Sequence, residues 1–258
     1  MTALLSIVCG ALVGFALGLV GGGGSTLATP LLLYVVGVGE PHAAIGTGSV
    51  AVSVAALSNL ATHARAGHVR WRNAAIFAAV GVVGALLGSS LGKAFDGERL
   101  LLLFGILMIV VGILMLRSRD CDEESPEFRP RSDAKVAGLA LVAGMASGFF
   151  GIGGGFLIVP CLLFATTMPM IDAVGSSLLA VAAFSVTTAA NYARSGLVDW
   201  PVAGIFILGG VAGGMLGMRL ASRLCRQKDR LRRLFALIVF AIAAYVIYRS
   251  LGVLLKGG

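Results

Sequence analysis

"VGGGGSTLATP", Val20 to Pro30, lies inside an apolar chain and returns as "FGIGGGFLIVP", Phe150 to Pro160. Each glycine weakens a helix by about 1 kcal/mol relative to alanine. Apolar residues nevertheless crowd both sides of each run. Two matched interruptions of the backbone, each set in a hydrophobic stretch and each ending at a proline, decide how the rest of the chain is read.

The chain has 258 residues, 58% of them hydrophobic and 12% charged, with a mean hydropathy of +0.96. A soluble domain needs more polar surface, so this balance belongs to the membrane class. Apolar runs of about 20 residues recur, the length that a helix needs to cross a bilayer. No ten-residue alternating pattern of the β-barrel kind is present. The expected fold is all-α: a polytopic transmembrane helical bundle embedded in a lipid bilayer. The net charge of +8 reads as Lys and Arg gathered in cytoplasmic loops, not as a nucleic-acid surface. Cys9, Cys121, Cys161 and Cys225 are scattered without a CxxC pair. A disulfide or zinc framework is not expected, and Cys9 and Cys161 read as small buried hydrophobes. No Lys or Arg precedes the first apolar run, which reads as a retained helix and not as a signal peptide.

The chain repeats itself. Gly14 to Pro30 aligns with Gly144 to Pro160 at an offset of 130, and Gly46 to Gly92 aligns with Gly175 to Ala221 at an offset of 129. Eighteen of the latter 47 positions are identical, among them Arg65/Arg194, Gly67/Gly196, Trp71/Trp200, Phe77/Phe206 and Gly88/Gly217. Shared hydrophobicity alone gives far fewer, so a duplication is expected. Repeat 1 covers 1–116, a polar linker covers 117–135, and repeat 2 covers 136–258. The apolar segments are 3–20, 26–38, 43–63, 73–92 and 100–116, then 136–150, 156–168, 173–192, 201–218 and 234–255. Fifteen Lys and Arg fall on one side of this plan and five (Lys93, Arg99, Arg194, Arg249 and Lys256) on the other, which together make the chain's 20. The positive-inside rule then puts the 117–135 loop in the cytoplasm and both termini outside. An odd number of segments per copy makes the second copy enter inverted, the plan of many secondary transporters.

Segments 26–38 and 156–168 hold 13 residues each, about 20 Å of helix against a core of about 30 Å. Each is expected to pair with its predecessor as a re-entrant or broken helix. Its glycine turn would then lie at membrane depth, where protein or a wet cavity must satisfy the backbone. Helix starts there present free N–H groups and a positive dipole end to an anion. The candidate substrate-binding residues are Gly22, Gly23, Gly24, Ser25 and Thr26 in the first copy and Gly153, Gly154 and Gly155 in the second. The competing reading of such glycines is close helix packing, and it is the favoured one for Gly81/Gly84/Gly88 and Gly210/Gly213/Gly217. "GIGGGF" lacks the context of a dinucleotide fingerprint.

The third segment of each copy carries a polar face. Candidates there are Ser49, Ser53, Asn59 and His63 in repeat 1, and Ser185, Thr188 and Asn191 in repeat 2. Spacings of three and four place such groups on one side of a helix. They either line a path or hydrogen-bond within the bundle. Both segments end alike, in "ARAGHVRW" (Ala64 to Trp71) and "ARSGLVDW" (Ala193 to Trp200). Arg65 and Arg194 read either as anion-attracting gates at opposite mouths or as snorkelling anchors. No Asp or Glu falls within a hydrophobic segment, which tilts the substrate toward an anion. His42, His63 and Asp172 are the candidates for any proton coupling. No catalytic residues, metal site or cofactor are expected.

"GFALGLVGGGGSTLATPLL", "GMASGFFGIGGGFLIVPCLL" and the paired Ala-Arg-x-Gly-x-Val-x-Trp stretches resemble the TauE/SafE-type sulfite exporters, also called the toluene sulfonate uptake (TSUP) family. The resemblance spans nearly the whole chain outside 117–135. It implies a permease of a bacterial or archaeal plasma membrane, carrying small sulfur-containing anions such as sulfite, sulfonates or sulfoacetate. The first copy departs from it, reading GGGGS where the second reads GIGGGF, so the two halves of a site would differ.

The reading is thus a secondary transporter that binds its anion between the two glycine turns and works by alternating access. Coupling to H+ or Na+ and homo-oligomerisation are compatible with this plan. A passive anion channel and a structural or assembly subunit are the rival readings.

Overall fold

A computed structural model describes residues 2–117, 133–151, 155–166, 168, 170–224, 240, 243–244 and 247–248. The described residues form helices joined by short turns, with no strand among them. Helix α1 is Thr2–Val20; after a 3-10 coil at Gly21–Leu27 come α2 (Ala28–Leu31) and a π turn at Leu32–Val36. Then follow α3 (Pro41–Arg65), α4 (Trp71–Ala94), α5 (Gly97–Arg117), α6 (Asp133–Phe150), α7 (Gly155–Ala165), α8 (Met170–Arg194) and α9 (Trp200–Leu224). Helices α1, α3, α4, α8 and α9 are each long and apolar enough to cross a membrane. Helix α7, with 11 residues, reaches only about 16 Å and does not. The expected linker and the last expected segment, 234–255, lie almost wholly outside the described residues.

The helix ends follow from local chemistry. Pro41 opens α3 at its first turn, where its missing N–H costs nothing. Gly67 and Gly196 take positive φ, 77° and 71°, just past α3 and α8, as helix-ending glycines do. Trp71 and Trp200 then start α4 and α9 and are exposed. The first interruption departs from expectation. In place of a clean helix start at Thr26, the chain winds on as a seven-residue 3-10 coil. Runs of that length are uncommon, because their hydrogen bonds are poorly aligned. Glycine makes the tight winding sterically accessible here. The coil runs into α2, with Pro30 in that helix's single turn, and then into the wider π turn, which Gly37 closes at φ 86°.

Helices α3 and α8 form the most buried layer, with the other long helices around them. They cross antiparallel: Gly46, near the start of α3, meets Tyr192 and Leu197, and Gly175, near the start of α8, meets His63 and His68. Helix α1 packs parallel to α9, and α4 packs parallel to α6. Both seams are backbone to backbone. A Cβ on Gly10, Gly14 or Gly18 would strike the main chain of Phe206, Gly210 or Gly214. One on Gly84, Gly88 or Gly144 would strike that of Leu141, Met145 or Gly81. Small residues that let helices approach this closely replace the hydrophobic effect, which is weak between helices in lipid. Gly81/Gly84/Gly88 and Gly210/Gly213/Gly217 therefore serve packing. Leucines and valines on the far sides of α1, α4 and α9, such as Leu4, Leu12, Leu87, Leu91 and Leu208, are exposed and suit a lipid surface.

Contacts recur at the sequence offset. The Thr47 hydroxyl accepts the N–H of Asp199 at 2.9 Å, and the Ser176 hydroxyl accepts the N–H of Arg70 at 2.8 Å. Adding 129 to Thr47 and Arg70 gives Ser176 and Asp199. The α1–α9 seam and the α6–α4 seam correspond in the same way.

Candidate functional site

The 3-10 coil packs against α7, the helix that follows the second glycine run, and α8 packs against both. Elements from the two interruptions thus meet at the buried layer. Gly22, Gly23 and Gly24 lie in the coil. Gly24 is pressed on the backbone of Ala16 and Leu17 in α1, where a Cβ has no room. Ser25 and Thr26 are fully buried. Gly155 is the first residue of α7; Gly153 and Gly154 lie outside the described residues. Just before them, Gly151 has φ 64° and its carbonyl faces the Ser49 hydroxyl at 3.0 Å. Helix α3 and the entry to the second interruption are tied together at this point.

The polar residues of α3 and α8 divide into two groups. Ser49 also reaches its own Ile45 carbonyl at 2.8 Å, and Ser53 donates to Val50 at 2.7 Å. Thr62 and Thr187 donate back to Ser58 and Ala183. Their hydroxyls are used within their own helices, the ordinary behaviour of Ser and Thr there. The second group is buried and finds no hydrogen-bond partner: Asn59 Nδ2, both ring nitrogens of His63, Ser185 Oγ, Thr188 Oγ1 and Tyr192 Oη. Asn59 and His63 lie one turn apart on α3, as Thr188 and Tyr192 do on α8. Thr29 Oγ1 in α2 and Ser147 Oγ in α6 belong to this group too. A buried donor left alone costs about 1–3 kcal/mol, and the hydrogen-bonding capacity of these side chains is unspent within the protein.

Asn191 differs from the other candidates because it is engaged. Its Nδ2 donates to Ser89 Oγ at 2.7 Å, and its Oδ1 accepts from Lys93 Nζ at 2.8 Å. Lys93 also donates to Ser195 Oγ at 2.9 Å and lies 6.0 Å from the centre of the Tyr192 ring. This cluster closes one end of the α3/α8 pair. At the other end Arg70 Nε donates to Asp172 Oδ2 at 2.7 Å, and His68 Nδ1 lies 3.5 Å from Asp172 Oδ1. Arg65 and Arg194, the last residues of α3 and α8, are exposed at opposite ends of the antiparallel pair. Among the described residues no cluster of His, Cys, Asp and Glu suits a metal. Cys9 and Cys161 carry free thiols.

Sequence reading counts Tyr192 among the polar residues of the third segment of repeat 2 but does not make it a site candidate, and it does not single out Thr29, Ser147 or Lys93 for the site. Tyr192 was within reach, because the offset of 129 pairs it with His63. The partners of Lys93 lie about a hundred residues away in sequence, so no local pattern announces them.

A family model described as "Sulfite exporter TauE/SafE" matches residues 6–246. A probable membrane transporter protein of Xylella fastidiosa (strain Temecula1) is 60% identical over 249 residues, 96% of this chain and 95% of its own length. The probable membrane transporter protein YunE of Bacillus subtilis is 26% identical over 97% of this chain and 99% of its own. A sulfite exporter TauE/SafE family protein 5 of Arabidopsis thaliana is 27% identical over 53% of this chain and 31% of its own. No solved structure matches the chain. With the match running through both glycine interruptions and nine of its helices among the described residues, this multi-pass membrane protein belongs to the TauE/SafE sulfite exporter family.

Proposed function

We propose that the chain is a secondary permease for small sulfur-containing anions such as sulfite, sulfonates or sulfoacetate, working by alternating access. The family membership and the transporter names of its relatives support transport. The observation that carries the site is the packing of the 3-10 coil against α7, with α8 beside both. The anion binds where these meet. Loosely bonded N–H groups of the coil and the uncommitted Asn59 and His63 hold it, with Ser185 and then Thr188 further along its path toward the opposite end of the α3/α8 pair. Donors without any fixed carboxylate among them suit an anion better than a cation.

The two halves act as inverted repeats. The recurrence of contacts at one offset and the antiparallel crossing of α3 and α8 support this arrangement. Lys and Arg asymmetry supports an orientation with both termini outside and the 117–135 loop in the cytoplasm of a bacterial or archaeal cell. Arg65 and Arg194 draw the anion to the two mouths.

Purified protein in liposomes, offered labelled sulfite, sulfoacetate and an alkyl sulfonate in turn, tests the reading. Saturable, slow flux of at least one of them is expected. Unitary currents would make the protein a channel, and an absence of flux for every anion would leave it a non-transporting membrane subunit.

A further inference from the structure

We propose that His63 is the proton-binding residue of this transporter and that it takes up its proton together with the anion. The inference rests on the anion reading above and deepens it by naming the coupled ion.

The chain has three histidines. His63 is 1% exposed, and neither ring nitrogen finds a hydrogen-bond partner. Asn59, one turn earlier on the same helix, is 2% exposed with its Nδ2 equally uncommitted. Both sit against Gly18, in the last turn of α1 before the glycine coil. Its backbone approaches the His63 ring within loose hydrogen-bonding range, and a Cβ on it would lie 3.2 Å from the Asn59 amide oxygen. Two uncommitted polar side chains therefore flank the entry to the first interruption.

An anion brought into this buried layer needs a compensating charge, because an unpaired ion in a low-dielectric interior costs several kcal/mol. Among the described residues no Lys or Arg side chain is buried, and the buried Asp172 is negative and paired with Arg70. His63 is the buried side chain among them that can become positive. A permanent cation there would be as costly as a lone anion. An imidazole that is neutral when empty and charged when occupied avoids both costs. The step balances simply: one ring nitrogen takes H+ from water, and the new N–H donates to an anion oxygen. The proton returns to water when the anion leaves, and no other bond forms or breaks.

The charged and titratable neighbours of His63 lie at one end of α3. His68 donates its backbone N–H to the His63 carbonyl at 3.1 Å, and the Asp172 carboxylate lies 3.5 Å from its ring. The His68 side chain is itself 40% exposed. The charged groups at this end of α3 are Arg65 on α3 itself, His68 and Arg70 in the loop, and Asp172 on α8. Helix α1 has none, and α9 carries Arg219 and Arg223 in its last two turns. Arg70 offsets Asp172, which leaves no fixed negative charge to hold His63 permanently protonated. The residue equivalent to His63 in the second half is Tyr192, which cannot become cationic. One anion therefore takes one proton.

Coupling is reciprocal: if the anion favours the proton, the proton favours the anion. Calorimetry on the whole purified protein tests this. The probes are thiosulfate, ethanesulfonate and sulfoacetate, which do not themselves titrate across about pH 5.5 to 8, where imidazole does. Buffers of differing ionisation enthalpy count the protons. The expected result is uptake approaching one proton per anion, with affinity falling about tenfold per pH unit on the alkaline side. H63Q is expected to bind more weakly, with near-zero uptake and a flat pH profile. In the unaltered chain labelled at histidine nitrogen, one ring of three should convert to imidazolium on anion addition, assigned with H42Q and H68Q. That spectrum decides the matter if H63Q does not fold. Anion binding without proton uptake, the same uptake in H63Q, or conversion of His42 or His68 instead would each overturn the proposal while leaving the anion site standing. Failure of the unaltered protein to bind any of these anions or sulfite would overturn the anion reading, and this inference with it.

Discussion

Asn59 and His63 stand near the end of α3, and the offset of 129 places Thr188 and Tyr192 at the corresponding positions near the end of α8. Both pairs are buried and uncommitted, and both lie one helical turn apart. Around them the frame is the same: a hydroxyl accepting the N–H that opens the next helix, a positive-φ glycine, and a glycine seam. The chemistry inside the frame differs. One end holds an amide, an imidazole and the Arg70–Asp172 ion pair; the other holds a hydroxyl, a phenol and the Lys93–Asn191–Ser195 cluster. On the proposed duplication, the halves share the residues that set backbone spacing and differ in those proposed to meet a solute.

The sharpest way to break this comparison is to attack the frame in each half. Gly14→Leu and Gly144→Leu each drive a side chain into a facing backbone, Gly210 in one case and Gly81 in the other. Each is expected to cost about 3 kcal/mol or more, read as a large fall in the melting temperature of the purified protein and in its yield. If one is tolerated and the other is not, the seams are not equivalent.

A smaller effect sharpens the chemical difference. Thr188→Val keeps the shape and removes a buried hydroxyl that has no partner. The variant is expected to melt no lower than the unaltered protein, because an uncommitted polar group is gone. Its anion affinity should fall about tenfold, near 1.4 kcal/mol. Unchanged affinity with higher stability would remove Thr188 from the site.

The smallest effect returns to the frame. Thr47→Val and Ser176→Ala each orphan one backbone N–H, of Asp199 and Arg70 respectively. Each should cost about 1 kcal/mol, and the two losses should agree within measurement error in thermal melts. A marked inequality would show that the matched hydrogen bonds carry unequal load.

Much of the fold was legible because lipid imposes simple demands. The expected span 43–63 became Pro41–Arg65 and 73–92 became Trp71–Ala94; proline and glycine punctuation fixed the ends. Glycines three and four apart announced the seams, since nothing larger allows two helices to approach so closely. The winding after Val20 was not legible. A glycine run says that a helix is weak there, but not whether it tightens to a 3-10 coil or widens to a π turn. Nor could sequence sort the hydroxyls: Ser53 bonds within its own helix while Ser185 does not, and that choice depends on what packs alongside. Arg70–Asp172 and Lys93–Asn191 join residues that only the crossing of α3, α4 and α8 brings together.

The two glycine seams carry one more consequence. Each joins a helix from the first half of the chain to a helix from the second, α1 to α9 and α4 to α6. A motion that parted the chain at its midpoint would have to pull both seams open at once. On the proposed alternating-access cycle, the bodies that tilt against each other are therefore mixed, each assembled from both halves of the chain.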